Sequence, residues 1–146
     1  MTKRVLVLTT CLAAVFMAAS PSLQSAEKGA KNPVDVSKLP PDSERKDVTF
    51  AADIKPVFDK SCVKCHGAEK PKAKLRLDSR EGTLKGSENG PVLKPGDSAA
   101  SVLVHNISHV GDPDMYMPPP KNKVNIGPLT KEQIGLVRAW IDQGAK

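Results

Sequence analysis

The stretch Cys62-Val63-Lys64-Cys65-His66 decides how this chain folds and what it holds. Two cysteines three positions apart at a helix end can both reach one edge of a porphyrin ring. A histidine directly after the second cysteine then projects beneath the central iron. The Cys-x-x-Cys-His pattern is typical of c-type haem attachment. We therefore predict one covalently attached haem c, held by Cys62 and Cys65, with His66 as the proximal iron ligand.

Two other uses of this motif are open on the residues alone. A redox dithiol would be expected in a βαβ context, which the chain lacks. A zinc site would need two further ligands; His105 and His109 are available, but the remaining cysteine, Cys11, lies in the N-terminal segment. The histidine after Cys65 and the export signal described next both favour haem.

Residues 1–26 have the pattern of a secretory signal peptide. Lys3 and Arg4 precede an apolar stretch from Val5 to Ala19, and small residues follow at a plausible cleavage site ending at Ala26. A membrane-spanning helix needs about 20 apolar residues, so an uncleaved anchor is the weaker alternative. Since haem c is attached outside the cytoplasm, we predict an exported, periplasmic protein without a transmembrane segment after cleavage.

Composition limits the rest of the chain. Its 146 residues provide for one domain. Only 39% of them are apolar, and aromatic side chains are limited to three Phe, one Tyr and one Trp. A domain this small buries only part of its surface. With so few apolar residues, we expect a bound group to complete its core. The net charge of +6 is spread among residues of both signs, unlike the dense basic stripe of a nucleic-acid-binding protein.

Two segments follow the signal. Residues 27–47 are rich in Lys, Asp, Ser and Pro and have no periodicity, which predicts a flexible, solvated tether. Residues 48–146 are predicted as the folded domain, of the all-α class. Its Gly/Pro-rich connections at 67–94 and 110–128 are unusually long for a compact domain. Wrapping a cofactor would account for their length.

Apolar spacing predicts three helices in this domain. The first leads into the Cys-x-x-Cys-His motif and is capped by Asp53, because Pro56 fits only a first helical turn. The second helix follows a cap at Asp97 or Ser98. The third is the clearest, since Thr130 begins a capping box ahead of a long apolar stripe.

The second axial position of the iron has two methionine candidates, Met115 and Met117. A thioether is a weak, flexible ligand, and the prolines directly after Met117 restrict the backbone that would present it. We therefore predict Met117 as the distal ligand and leave open whether Met115 can substitute. His105 and His109, predicted one turn apart on the second helix, are rival ligands.

Arg76 and Arg80 are candidates for binding the haem propionates, because a guanidinium fork matches a carboxylate. The alternative is a pair of surface arginines that bridge Asp78 or Glu81. The residues do not decide between these two roles.

Basic side chains are concentrated around the motif. They are Lys60, Lys64, Lys70, Lys72 and Lys74. Charge around an exposed haem edge would steer encounter with a redox partner protein that carries an acidic docking surface. A solvated lysine face that keeps the protein soluble is the alternative.

Several short motifs occur in a characteristic order across residues 48–146. Besides Cys-x-x-Cys-His-Gly they are Phe50-x-x-Asp53-Ile54-x-Pro56-Val57-Phe58, Leu75-Arg76-Leu77-Asp78, Gly90-Pro91, Pro95-Gly96-Asp97, Met117-Pro118-Pro119, Leu129-Thr130 and Trp140-Ile141-Asp142-x-Gly144. This order resembles the planctomycete-type cytochrome c domain, a branch of the class I c-type cytochromes. The resemblance implies a cytochrome c-like haem-wrapping fold with long loops and crossing N- and C-terminal helices. It also implies that Met117 is the distal ligand.

These observations predict an electron carrier and not an enzyme, with a His/Met-ligated haem that transforms no substrate. The alternatives are a haem-binding subunit, a sensor, or a peroxidase-like protein with a displaceable distal ligand. Filled axial positions would exclude rapid binding of small ligands, so Met117 separates the first hypothesis from the others.

Overall fold

The structure is a computed structural model that describes residues 34–146. The predicted signal peptide lies outside the described residues. The helices within the described range are α1 (Lys55–Ser61), α2 (Val63–His66), α3 (Arg80–Lys85), α4 (Val102–Ile107) and α5 (Lys131–Asp142). From residue 34 onward the chain forms no β-strand beyond two isolated bridges, which confirms the all-α class. None of these helices is long and apolar enough to cross a membrane.

Helix α5 forms as its sequence predicts. The Thr130 hydroxyl accepts the amide of Gln133, and the Gln133 side chain accepts the amide of Thr130, which completes the capping box. One face of α5 is fully buried at Val137, Trp140 and Ile141. This helix is therefore the central wall of the core.

Aromatic contacts join α5 to the beginning of the domain. A π-helical turn, Phe50–Ile54, precedes α1. The Phe50 ring lies 5.6 Å from that of Trp140 and 6.0 Å from that of Phe58 in α1. The carbonyl of Lys146 accepts hydrogen bonds from the Phe50 amide and the Trp140 indole. These contacts hold the chain that leads into the Cys-x-x-Cys-His motif against α5.

The cap of the first helical segment differs from the prediction of Asp53. Thr49 is the cap of the π-helical turn, and its hydroxyl accepts the amide of Ala52 at 3.3 Å. The Asp53 carboxylate instead reaches back to the amide of Thr49 at 2.8 Å. Each side chain thus accepts a backbone amide at the start of the turn, as the two side chains of a capping box do. Pro56 lies in the first turn of α1, as expected.

The second helix starts later than predicted. Helix α4 begins after Ser101, not after Asp97 or Ser98. The Asp97 carboxylate accepts the amide of Ala100 in the preceding turn, and both Ser98 polar groups are bound by Asp142 of α5. These side chains therefore fix a turn against α5 and do not start the helix.

Residues 34–47, predicted as part of a solvated tether, are packed along α5 and are called the N-terminal strap below. Leu39 is buried in the core. The amide of Ser43 donates to the Gly135 carbonyl at 3.0 Å, and the Pro40 carbonyl accepts from the Arg138 guanidinium. Apart from the burial of Leu39, these contacts come from the backbone of the strap, which composition does not reveal.

Candidate haem-binding site

The Cys-x-x-Cys-His motif lies on a single helical turn that follows a break in the helix. Helix α1 ends at Ser61, and Cys62 leaves helical geometry with φ −125°. Its carbonyl accepts the amides of Cys65 at 3.0 Å and His66 at 2.9 Å. This turn brings Cys62, Cys65 and His66 to the wall of one apolar cavity, as the attachment of a haem requires.

The environment of Cys62 is not that of an activated redox thiol. Cys62 and Cys65 are both free thiols. Burial, with a smaller contribution from Cys65, raises the pKa of the Cys62 thiol to about 12. A dithiol oxidoreductase needs a thiolate and therefore a lowered pKa. The environment of Cys62 does the reverse, which disfavours the redox-dithiol interpretation.

A zinc site is also disfavoured by the arrangement of donor groups. Nowhere in the described range do three His, Cys, Asp or Glu side chains converge as metal ligands. His105 binds the carbonyl of Ala99 through Nε2 at 2.6 Å. His109 stacks on Tyr116. The zinc hypothesis required both histidines near the cysteines, and each has another contact.

His66 has the properties of an imidazole that needs a further partner. The residue is buried at 9% exposure, and its Nδ1 has no hydrogen-bond partner of normal geometry. Burial lowers the pKa of the ring, and backbone groups of Leu75 and Lys72 oppose that effect in part. The neutral form of the ring is therefore favoured, and a neutral imidazole nitrogen can bind a metal ion. These features fit a haem iron.

The cavity beside His66 has a volume of about 340 Å³. It falls in the range of about 300–1,000 Å³ that is usual for cofactor sites. The wall is mainly apolar and is built from loops and helices that lie far apart in sequence; its members include Leu75, Leu77, Val92, Leu103, Ile107, Val110 and Leu129. An apolar macrocycle would complete the core here, as the low apolar content predicts.

Both candidate methionines line this cavity, but they differ in exposure. Met115 is 43% exposed, whereas Met117 is half-buried and packs against the core. The amide of Met117 donates to the Asn106 carbonyl at 3.0 Å, which ties it to the end of α4. His66 and Met117 thus both line this cavity. Assignment of the distal ligand stays a prediction.

The rival histidines occupy different positions from those predicted. His105 is in α4 and lines the cavity, while its Nε2 is bound to the Ala99 carbonyl. His109 lies beyond the end of α4 at Ile107 and has a left-handed backbone with φ 54°. The two side chains therefore do not form one helical face.

The structure brings neither candidate propionate ligand to the cavity lining. Arg76 forms a two-pronged ion pair with Asp78, with distances of 2.6 and 2.9 Å. Arg80 donates to the Ala145 carbonyl at 2.7 Å. Arg76 thus forms the ion pair with Asp78 that is the alternative to propionate binding. Arg80 makes a structural contact that the sequence does not suggest. A propionate role for either stays a prediction.

Sequence reasoning missed two contributors to the site. Val34 of the N-terminal strap lines the cavity, although its segment was predicted to be solvated. The Asn106 carbonyl binds the Met117 amide. No local pattern marks either role, because one depends on the docking of the strap and the other uses only the backbone.

An all-α domain with a Cys-x-x-Cys-His motif on the wall of an apolar cavity defines a haem-binding protein of the c-type cytochrome class. Residues 62–121 match the family model described as Planctomycete cytochrome C. Over this range the chain is therefore similar to the planctomycete-type cytochrome c domain, as the order of its motifs predicts. The matched range includes the motif and both methionines but stops before α5. No curated protein and no solved structure matches the chain significantly.

Proposed function

We propose that this protein is an exported monohaem cytochrome c that carries electrons between redox partner proteins. The observation that carries the proposal is that one cavity is lined by both cysteines, by the buried His66 and by Met117. When bound, the haem would supply one-electron cycling between Fe(III) and Fe(II). Electron transfer is also the general role of cytochrome c domains, and it requires no substrate.

In this proposal each residue of the motif has a separate task. Cys62 and Cys65 bind the haem covalently, and their placement on one helical turn fixes the edge of the ring. His66 holds the iron from the proximal side, and its burial excludes water from that side. The apolar wall keeps the ring in a medium of low polarity.

Met117 is the proposed distal ligand. It is half-buried at the cavity, and its backbone is held by the Asn106 carbonyl. Met115 also lines the cavity but is more exposed. A His/Met pair raises the reduction potential of a cytochrome c. With His66 and Met117 both bound to it, the iron would be closed to small ligands.

The haem-wrapping arrangement is supported by the packing around the motif. The turn before α1 packs on α5 through Phe50 and Trp140. We propose that α1 and α5 are the crossing terminal helices of a cytochrome c fold. Export to the periplasm rests on the signal pattern of residues 1–26, which lie outside the described range.

Lysines near the motif are the proposed docking surface for an acidic redox partner. Lys72 and Lys74 flank Ala73, which lines the cavity. Lys74 is 80% exposed and makes only a long ion pair of 3.6 Å with Glu88. Charge at this position can steer the encounter with an acidic surface.

Optical spectra of the purified protein in both oxidation states, with and without carbon monoxide, test the proposal. The haem should resist extraction with acidified acetone, because its bonds to the cysteines are covalent. Met117→Ala should abolish the far-red sulfur-to-iron band, lower the potential and admit carbon monoxide. Met115→Ala is the matched control and should leave all three unchanged.

Three results would contradict the proposal in different ways. An extractable haem would refute covalent attachment. An exchange of the two methionine phenotypes would assign Met115 as the distal ligand. Rapid carbon monoxide binding by the wild type would favour the sensor or peroxidase-like alternatives, because those functions need a displaceable distal ligand.

A further inference from the structure

The loop that carries Met117 closes on itself at its base. Residues 106–117 leave the end of α4 and return to it. The Asn106 carbonyl accepts the amides of both His109, at 3.3 Å, and Met117, at 3.0 Å. A loop of this length whose ends meet behaves as a compact unit. One backbone oxygen thus joins the outgoing and returning chains.

A ring stack lies beside this shared oxygen. The rings of His109 and Tyr116 are parallel to within 1°, with centroids 4.6 Å apart. This is the geometry of an offset aromatic stack. The Tyr116 hydroxyl reaches the Gly111 carbonyl only at 3.5 Å, a weak contact. Tyr116 is therefore held mainly by the face of its ring.

His109 is kept in this position despite two unfavourable features. Its backbone is left-handed, with φ 54°, a conformation that only a few per cent of non-glycine residues adopt, histidine among the more frequent of them. Its Nε2 is buried without a hydrogen-bond partner. Backbone strain and an unsatisfied polar atom persist where the surrounding structure requires the residue for another purpose. The His109 side chain does contact Tyr116, through the ring stack.

We propose that the His109–Tyr116 stack is a clamp that positions Met117 at the cavity, an inference that rests on Met117 as the distal ligand. Tyr116 directly precedes Met117, so fixing its ring fixes the direction in which the Met117 side chain leaves the backbone. A thioether ligand has three rotatable bonds and binds weakly. The clamp limits how often it leaves the iron.

Carbon monoxide binding to the reduced protein measures this clamp, because the gas binds only while Met117 is off the iron. The observed association rate is then proportional to the fraction of the open state. Loss of an aromatic stack should raise that fraction about 2- to 10-fold. His109→Asn removes the ring but tolerates the left-handed backbone. Tyr116→Leu removes the partner ring.

We expect each single variant to bind carbon monoxide about 2- to 10-fold faster than the wild type. The double variant should be no faster than the singles, because both remove one shared contact. Tyr116→Phe is the conservative control: it keeps the ring, and it should keep both the wild-type rate and the far-red band. A residue that acted only on overall folding would lower the thermal stability without this selective change in rate.

The inference is overturned if either single variant leaves the rate unchanged, or if the two effects multiply in the double variant. It is also overturned if Tyr116→Phe behaves like Tyr116→Leu. A wild type without a far-red band, whose iron already binds carbon monoxide rapidly, would refute Met117 ligation itself. That result separates a failure of the proposed function from a failure of the clamp.

Discussion

The substitution Gly135→Ala tests whether the N-terminal strap is docked on α5. An added Cβ would lie 2.7 Å from the Pro41 carbonyl oxygen and 3.4 Å from the Ser43 amide nitrogen. The first distance is too short for a real contact, and a backbone atom cannot swing aside as the end of a side chain can. The strap would therefore have to move away from the helix.

Two opposing contributions set the size of the effect. Alanine is more favourable than glycine in a helix interior by about 1 kcal/mol. Displacing the strap would break the bond from Ser43 to the Gly135 carbonyl, which contributes about 1 kcal/mol. It would also remove the Pro40 carbonyl from the Arg138 guanidinium, a charge-assisted contact of about 1.5–3 kcal/mol. The expected net loss in the free energy of unfolding is about 1.5–3 kcal/mol.

Thermal and denaturant unfolding of the holoprotein measure this loss, which should lower Tm by about 5–15 °C. Trypsin cleavage after Lys38 and Arg45 in the strap should accelerate in parallel. Gly127→Ala is the matched control, because a Cβ there meets nothing within 4 Å. It should stay within about 0.5 kcal/mol of the wild type. A Gly135→Ala protein that is more stable than the wild type, with its strap still protected from trypsin, would refute the reasoning.

Three further predictions concern the charged residues. Arg80→Gln should destabilise the fold by about 1.5–3 kcal/mol, since it removes the bond to the Ala145 carbonyl. Arg76→Gln should change the stability little. A reduction potential that both changes leave unaltered would refute the propionate role. The Thr49 amide and, to a lesser extent, Arg45 lower the pKa of Asp53. Its stabilising effect is therefore fully present above the unfolded pKa of about 3.9 and is lost as the pH falls through the lower pKa of the folded state. Asp53→Asn should therefore unfold with a shallower acid dependence, and equal acid profiles would contradict this. The rate of electron transfer to an acidic partner should fall steeply with ionic strength. Charge reversal of the exposed lysines should flatten that slope, whereas the same change at the tether lysines should not. Equal slopes in the wild type and both variants would assign the lysines to solubility. The exposed set is Lys70, Lys72 and Lys74, and the tether set is Lys28, Lys31 and Lys38.

The features that the sequence predicted correctly depend on local signals. The capping box at Thr130 and the apolar stripe of α5 are both contained in a dozen residues. The Cys-x-x-Cys-His motif is shorter still. Each of these signals acts through neighbours in the chain, so no knowledge of the fold is needed to interpret it.

The errors concern choices between side chains that compete for the same turn. Asp53 and Thr49 are both good capping residues, and the chain uses both, with Thr49 at the cap and Asp53 reaching back. Asp97 and Ser98 are equally suitable caps, but Asp142 of α5 binds Ser98 from far along the chain. Tertiary contacts of this kind override local preference.

The N-terminal strap was missed because its hydrogen bonds to α5 come from its backbone, which leaves no periodic pattern in its own sequence. The signal that could have predicted its docking lies in the sequence of helix α5. Gly135 interrupts an otherwise strong helical pattern, and a glycine in a helix interior often has a packing reason. Here the reason is the close approach of the Pro41 carbonyl.

The N-terminal strap contacts α5 at one end and the cavity at the other. At one end the strap lies on Gly135 and Arg138 of α5. At the other, Val34 lines the cavity, and its side chain lies 3.1 Å from where a Cβ on Gly111 would be. Gly111 belongs to the loop that presents Met117. A segment that the composition describes as a solvated tether therefore spans the distance between the central helix and the methionine loop, and closes part of the cavity between them.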